Sequence, residues 1–211
     1  MRKSAGPALV LLLVLLVTAT TPSCQKKPPV APGFAPPGAP ATGASEARVT
    51  LFGTLDLGLR FLEPETRARY IREVAGQDED PFRPTDPGVE EPFLVFLFTI
   101  ENRGQSPVLI SPSFGAMVDR KGRMNLPPFD AREIQELMAA VPAFTPELGR
   151  RFHDATVNVN PGQRMSRLLV FPALPRKVEM VEVVFPSLMS GNLSADAHFP
   201  FTVTWTPISA F

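Results

Sequence analysis

The chain has 211 residues, with 21 lysines and arginines against 21 aspartates and glutamates, 25 prolines and one cysteine. This length fits a single globular domain with appendages. The balanced charge gives the whole chain no electrostatic attraction for nucleic acid, so no nucleic-acid partner is expected. One cysteine cannot form an internal disulfide, which excludes a disulfide-stapled scaffold.

The N-terminus has the pattern of a secretory signal. Arg2 and Lys3 precede an unbroken apolar run over residues 8–17, and small and polar residues follow it. The run is too short to cross a bilayer, because a spanning helix needs about 20 apolar residues. Residues 1–23 are therefore predicted to be a signal peptide.

Ser23 and Cys24 follow the apolar run, and here the sequence resembles bacterial lipoproteins, whose lipobox places a small residue before an invariant cysteine. Thr21 and Pro22 differ from the residues usual in that motif. The resemblance implies that Cys24 is acylated and holds the chain to a lipid bilayer. Gln25 stands where an aspartate would favour the inner membrane, so the expected location is the outer membrane, facing the periplasm. Ordinary signal cleavage, which leaves Cys24 as a free thiol, is the alternative.

Residues 24–45 are predicted to form a disordered tether that begins at the lipidated cysteine. The composition changes to proline, alanine and glycine, with six prolines between positions 28 and 40. Such a segment has too little apolar surface to fold and extends by about 3.1 Å per residue. It would hold a domain up to about 60 Å from the membrane.

Residues 46–211 are predicted to form one β-sandwich domain. Residues 49–61 supply one long strand or two short ones, with alternating leucines. Residues 93–100 are apolar at nearly every position, which predicts a central strand covered on both faces. Short strands are expected at 108–110 and 114–118, before a turn at 119–122.

The second half of the domain contains four more strand-like segments. Residues 155–160 and 164–171 flank a turn at 160–163 and are expected to pair as a hairpin. Residues 178–185 are rich in valine, and residues 199–205 alternate strictly between apolar and polar side chains. The fold class is therefore mainly β: an immunoglobulin-like antiparallel β-sandwich of seven to nine strands with one or two short helical insertions.

Helical insertions are predicted at 64–75, ended by Gly76, and near 130–153. In the latter, Asp130 and Glu133 fit a capping box. A stripe of apolar side chains at helical spacing follows and ends at Pro142. Its members are Ile134, Leu137, Met138 and Val141. A second cap at 145–147 opens a short turn that runs to Phe152.

The order of these segments is similar to that of the telokin-like, immunoglobulin-like domains of unknown function in bacterial lipoproteins. In residues 96–122, an apolar strand leads to Asn102, a phenylalanine strand follows, and an Asp-x-x-Gly turn closes the run. In residues 160–172, a Pro-Gly turn opens a strand that reaches Phe171. The resemblance implies a sandwich fold and neither a catalytic activity nor a ligand.

The sequence contains no recognisable catalytic or metal-binding motif, and neither an enzyme activity nor a cofactor is expected. Residues 111–115 lack the leading glycine of a nucleophile elbow. The two histidines, His153 and His198, are isolated from other zinc ligands. His198 could hold copper with Met180 or Met189, but core methionines are the simpler interpretation.

The charged clusters are interpreted as solvated surface. The acidic stretch at 78–80, with Asp86, Glu90 and Glu91 nearby, lacks the spacing of a calcium loop. The basic pairs at 120–121 and 150–151 have no interleaved aromatic residues.

The sequence therefore predicts a membrane-anchored, non-catalytic envelope lipoprotein whose sandwich binds a protein partner as an accessory or scaffold subunit. The first alternative is a secreted or anchored sandwich that resembles a proteinase inhibitor or binds a small ligand. In that case a loop such as 76–91 would insert into the target. The second alternative is an enzyme with an unrecognised site built from Asp, Glu, Ser or Lys.

Overall fold

Two antiparallel sheets pack face to face, and short helices cover part of one of them. The structure, a computed structural model, describes residues 29–39, 45–84, 89–139, 144–153 and 156–208. The predicted mainly-β sandwich is confirmed. The described residues contain eleven strands, more than the seven to nine predicted.

The strands span β1 (Val30–Ala35), β2 (Glu46–Leu51), β3 (Leu55–Phe61), β4 (Phe93–Asn102), β5 (Val108–Ile110), β6 (Ala116–Asp119), β7 (Asn125–Leu126), β8 (Val157–Val159), β9 (Arg164–Pro172), β10 (Met180–Ser190) and β11 (Leu193–Pro207). The helices are α1 (Pro64–Ala75), α2 (Ala131–Met138) and α3 (Pro146–Gly149), with a 3-10 turn at Pro112–Phe114. Sheet A has the order β1-β11-β10-β5-β8, with β6 also on β10 and β7 on β6. Sheet B has the order β2-β3-β4-β9.

The first core lies between the two sheets and is rich in phenylalanine. Four rings, two from each sheet, meet in edge-to-face and tilted contacts: Phe34, Phe61, Phe96 and Phe201. Phe98 of sheet B stacks on Phe185 of sheet A with ring centroids 4.7 Å apart. These contacts fix the separation of the sheets, because aromatic rings fill the space between them.

A second core lies on the outer face of sheet B, beneath the helices. Val95 and Leu97 of β4 are buried there, on the opposite face from the β4 residues in the first core. The prediction that this strand is covered on both faces is therefore confirmed. The covering side chains come from the three helices and their flanking loops: Leu62, Ile71, Phe82, Ile134, Leu148 and Phe152.

The helices begin where the sequence predicted, and α1 also ends as predicted, whereas α2 and α3 end earlier. Gly76 ends α1 with φ 66°, a left-handed conformation that glycine adopts without strain. At α2, Asp130 accepts from the N–H of Glu133, and the Glu133 carboxylate accepts from the N–H of Asp130. This reciprocal pair confirms the predicted capping box. Thr145 caps α3.

The apolar stripe predicted along α2 is only partly buried. Ile134 packs in the second core, whereas Leu137 is 47% exposed. Val141 lies outside the described residues. α2 ends at Met138, so the helix is shorter than the predicted stripe.

The predicted tether is wrong at Val30–Ala35, because this segment is β1, an edge strand of sheet A. It pairs antiparallel with β11, from Val30 opposite Pro207 to Ala35 opposite Thr202. Proline is tolerated on an edge strand, where a backbone donor can be missing without loss to the sheet. Phe34 supplies the buried apolar surface that holds the strand.

The hairpin predicted for β8 and β9 is also wrong. β8 pairs with β5 in sheet A, whereas β9 pairs with β4 in sheet B. The turn between them carries the chain across the sandwich. The Asn102 side chain supports this crossing by donating hydrogen bonds to the carbonyls of Ser106 and Val159, both at 2.9 Å.

Candidate functional site

The two ends of the sandwich differ in chemistry. The start of β1, the end of β11, the start of β10 and the end of β6 lie at one end, because each strand is antiparallel to the next. We call this the proximal end, since Cys24 precedes β1 closely in the sequence. Cys24 itself lies outside the described residues. The end with the β10–β11 turn is the distal end.

At the proximal end, the chain before β1 is tied to the domain. The Val30 N–H donates to Glu90 Oε1 at 3.0 Å, and Glu90 also pairs with Arg176. The bond from Arg176 and the N–H of Val30 together lower the pKa of Glu90. The Ile208 N–H donates to the carbonyl of Pro29 at 2.9 Å. The strand is therefore fixed from its first residue.

The proximal end also carries a shallow basic concavity of about 250 Å³, between the β6–β7 turn and the segment that leads into β10. Its cations form the basic turn cluster: Arg120, Lys121, Arg123 and Lys177. All four are exposed, and none forms an ion pair with another described residue.

Two acidic residues, Asp119 and Glu179, line the same concavity. The Asp119 carboxylate accepts the N–H groups of Met124 at 3.0 Å and Arg123 at 2.7 Å. These bonds lower the pKa of Asp119 and keep its charge within the turn. Asp119 therefore stays ionised, and the concavity carries four cations against two acids, Asp119 and Glu179.

Sheet A and its turns expose several large hydrophobic side chains. Leu109 of β5 lies directly opposite Met189 of β10, and they are 46% and 48% exposed. Leu193 at the β10–β11 turn is 58% exposed, and Phe114 in the 3-10 turn is 71% exposed. Leu193 pairs with Ser190 and so lies on the other face of the sheet from Met189. Phe114 precedes β6, whose first residue lies opposite Val184, partway along β10. We call the neighbouring pair Leu109 and Met189 the distal apolar patch.

A polar concavity of about 280 Å³ lies on the outer face of sheet B, beyond the helical layer. Gly58 forms its floor, and the Glu46 carboxylate lies over it, where it accepts from Thr99 Oγ1 at 3.0 Å and Arg48 Nε at 2.7 Å. Asp56 pairs with Arg103. The carboxylates are thus paired with neighbours rather than poised as a general base.

The predicted solvated acidic loop is wrong at Asp80 and Glu91, which surround a buried arginine. Arg67 of α1 has no exposed surface; it donates to Asp80 at 2.7 Å and to both oxygens of Glu91 at 2.9 Å. Burial alone would lower the pKa of Arg67, but Glu91 and Asp80 outweigh it and raise the pKa.

This loop also inserts Phe82 into the second core, 5.9 Å beneath the Arg67 guanidinium. Its described part is therefore built into the domain, unlike the free inhibitory loop considered for residues 76–91. Asp78 and Glu79 fit the prediction, since both are exposed, and the ion pair of Asp78 with Arg72 is exposed as well. Asp86 lies outside the described residues.

The histidines and methionines considered for copper do not converge. His198 lies 3.3 Å from Glu182 on the outer face of sheet A. Met180 pairs with Thr202 and Met189 with Ser194, each four residues from His198 along β11, which is about 13 Å. Both methionines are exposed, so the core interpretation is wrong for them. They occupy outward positions of β10.

The remaining candidates are structural. His153 is buried, with Nε2 3.0 Å from the carbonyl oxygen of Phe129. Ser111 hydrogen-bonds Thr156 at 3.1 Å. Arg150 and Arg151 are exposed as predicted, and Arg151 donates to the carbonyl of Val74.

The described ranges contain neither a membrane-spanning helix nor a metal-binding cluster. No helix there has the length and apolar character needed to cross a membrane. No group of three His, Cys, Asp or Glu side chains in those ranges is arranged to hold a metal ion.

No family model matches the chain, and no curated protein matches it in sequence. Among solved structures, it is similar to a functionally unknown protein from Listeria monocytogenes, with 14% identity and a TM-score of 0.39 over 80% of this chain and 86% of that one. The yjhA protein of Bacillus subtilis is 16% identical with a TM-score of 0.31, over 45% of this chain. The chain spans 56% of the yjhA structure. The GAE domain of yeast (Saccharomyces cerevisiae) GGA2p is 9% identical with a TM-score of 0.29, over 78% of this chain and all of that one.

Proposed function

We propose that the protein is a membrane-anchored, non-catalytic envelope lipoprotein whose sandwich binds a protein partner through the distal apolar patch. The observation that carries this proposal is the exposure of two apolar side chains that lie directly opposite one another at the distal end of sheet A, Leu109 and Met189. Exposed apolar side chains grouped in this way are typical of protein-docking surfaces. Methionine is also enriched at such interfaces.

The position of the patch also supports this function. A chain anchored at Cys24 enters the domain at the proximal end, because β1 begins there. The distal apolar patch is then presented away from the membrane, where a second envelope protein can reach it. The signal peptide and Gln25 make the periplasmic face of the outer membrane the proposed location.

The anchor is tested first, by the intact mass of the mature protein and of a Cys24→Ala variant. Acylation of Cys24 adds the mass of its acyl chains, and the variant lacks them and leaves the membrane fraction. An unmodified, soluble wild-type chain would overturn the anchored function. The secreted alternative would then come first.

The partner is tested by crosslinking in intact cells and affinity capture from solubilised membranes. We expect Leu109→Ser with Met189→Ser to lose a partner that the wild type captures, because these side chains supply apolar contact. Val89→Ser is the matched control, since Val89 is 50% exposed and lies outside the patch. If the patch variant and the control capture the same proteins in the same amounts, the patch is not the docking surface.

A further inference from the structure

We infer that the proximal end of the sandwich rests on anionic phospholipid headgroups, which the basic turn cluster contacts. This inference rests on the proposed anchor at Cys24. It adds a second, electrostatic contact between the folded domain and the membrane that holds it. It also sets the orientation of the whole domain.

The length of chain before β1 places the domain close to the membrane. Pro29 is already bound to Ile208, and five peptide units separate it from Cys24. A fully extended chain of that length reaches at most about 18 Å. The long stalk predicted from composition is therefore excluded for an anchored chain, and the proximal end must lie near the headgroups.

The strand directions bring the basic turn cluster to that same end. β6 runs antiparallel to β10, with Asp119 opposite Val181, so the chain leaves β6 toward the proximal end and turns there. Lys177 precedes β10 and lines the same concavity as Arg120, Lys121 and Arg123. Residues separated in the sequence thus form one basic surface on the side where β1 emerges.

The charges at this end favour an anionic surface. The four cations of the cluster have no ion-pair partner in the described part of the chain, and Asp119 is bonded within its own turn. Glu90 and Arg176 neutralise one another, and the concavity keeps an excess of positive charge, with four cations against the two acids Asp119 and Glu179. Lysine and arginine close to an anionic leaflet are attracted within a Debye length of it.

The only tryptophan of the chain provides a probe at this end. Trp205 lies on β11 opposite Pro32 of β1, and its indole N–H donates to the carbonyl of Val178, next to Lys177. It is half-buried, so its fluorescence reports the approach of a quencher without a change of fold.

The experiment measures quenching of Trp205 in the mature, acylated protein reconstituted into vesicles that contain a headgroup-labelled lipid quencher. One set of vesicles is phosphatidylcholine, and the other is an equimolar mixture of phosphatidylcholine and phosphatidylglycerol. We expect stronger quenching in the anionic vesicles and loss of this difference in high salt. The double variant Lys121→Glu with Lys177→Glu should abolish the difference in quenching between the two vesicle types at low salt.

The matched control is Arg150→Glu with Arg164→Glu, which makes the same charge change on exposed cations of the helical layer and the distal end. It should keep the quenching difference. Equal quenching of the wild type in both vesicle types, or an unchanged difference in the cluster variant, would overturn the inference. If Cys24 carries the acyl mass in that case, the anchor stands and the headgroup contact alone fails. A chain without that mass that does not enter vesicles overturns both.

Discussion

Arg67 shows how a single residue organises an entire loop. Its guanidinium is buried, and it donates hydrogen bonds to the carboxylates of Asp80 and Glu91. These two residues flank Phe82 in the sequence, so the bonds hold the loop that carries Phe82. A buried ion pair adds little net stability over a well-packed apolar side chain, but removal of one partner leaves a buried charge uncompensated. The loop therefore depends on this arginine.

Arg67→Met is expected to lower the free energy of unfolding by about 3–5 kcal/mol, because it leaves the carboxylates of Asp80 and Glu91 without their cationic partner. Urea denaturation measures the loss. Arg72→Met is the control on the same helix: its ion pair with Asp78 is exposed, so the loss should stay below about 1 kcal/mol. Equal losses in the two variants would show that the Arg67 cluster is not a stabilising feature.

Glu90 stabilises the start of β1 in a pH-dependent way. Arg176 and the N–H of Val30 lower the pKa of Glu90 in the folded state, so the folded protein favours the charged form. Its contribution to stability is present above the ordinary glutamate pKa of about 4.3 and is lost as the pH falls toward the lowered value.

We therefore expect Glu90→Gln to be less stable than the wild type near neutral pH and equally stable in acid. Urea midpoints measured across this range provide the comparison. The difference must close as the pH falls, since the wild-type carboxylate becomes protonated. A difference that persists unchanged in acid would mean that Glu90 acts through packing rather than charge.

At the scale of elements, β1 is the test of whether the proline-rich segment belongs to the fold. Phe34 is 6% exposed and lies with its ring centroid 4.6 Å from Phe61 and 5.1 Å from Phe96. Phe34→Ala should cost about 3–5 kcal/mol in denaturation, the usual loss for a buried phenylalanine. Pro37→Ala, at an exposed position of the same segment, should cost little. A disordered tether would give no loss in either variant.

The sequence correctly predicted the elements whose signals lie within a few neighbouring residues. β4 is apolar on both faces, α1 ends at Gly76, and α2 begins with its capping box; each depends on residues within a few positions of one another. The alternation in β11 is of the same kind, since its inward residues are buried along the strand.

The errors arise where distant residues decide the outcome. The proline count predicted disorder at β1, but its partner is β11, at the other end of the chain. The turn before β9 fits a hairpin, yet the registers with β5 and β4 place the two strands in different sheets. The same holds for the candidate sites, because only the strand order brings Lys177 to the β6–β7 turn.

At the scale of the whole molecule, the two cores share their strands. β4 contributes Phe96 and Phe98 to the first core and Val95 and Leu97 to the second, and β9 alternates in the same way. Neither core can open without exposing the strands of the other. The sandwich and its helical layer should therefore unfold as one cooperative unit.

The chain has one tryptophan and one tyrosine, and they report on different layers. Trp205 packs against the first core and Tyr70 of α1 against the second. Coincident transitions of separate probes indicate two-state unfolding. Tryptophan fluorescence and tyrosine absorbance, followed in urea, should therefore give the same midpoint.

Phe152→Ala sharpens this comparison, because Phe152 is 2% exposed and belongs to the second core alone. The substitution should cost about 3–5 kcal/mol and shift both midpoints together, although Trp205 lies in the other core. If only the tyrosine transition moved, the helical layer would unfold before the sandwich. Unfolding of the two layers would then be less cooperative than the burial of shared strands in both cores implies.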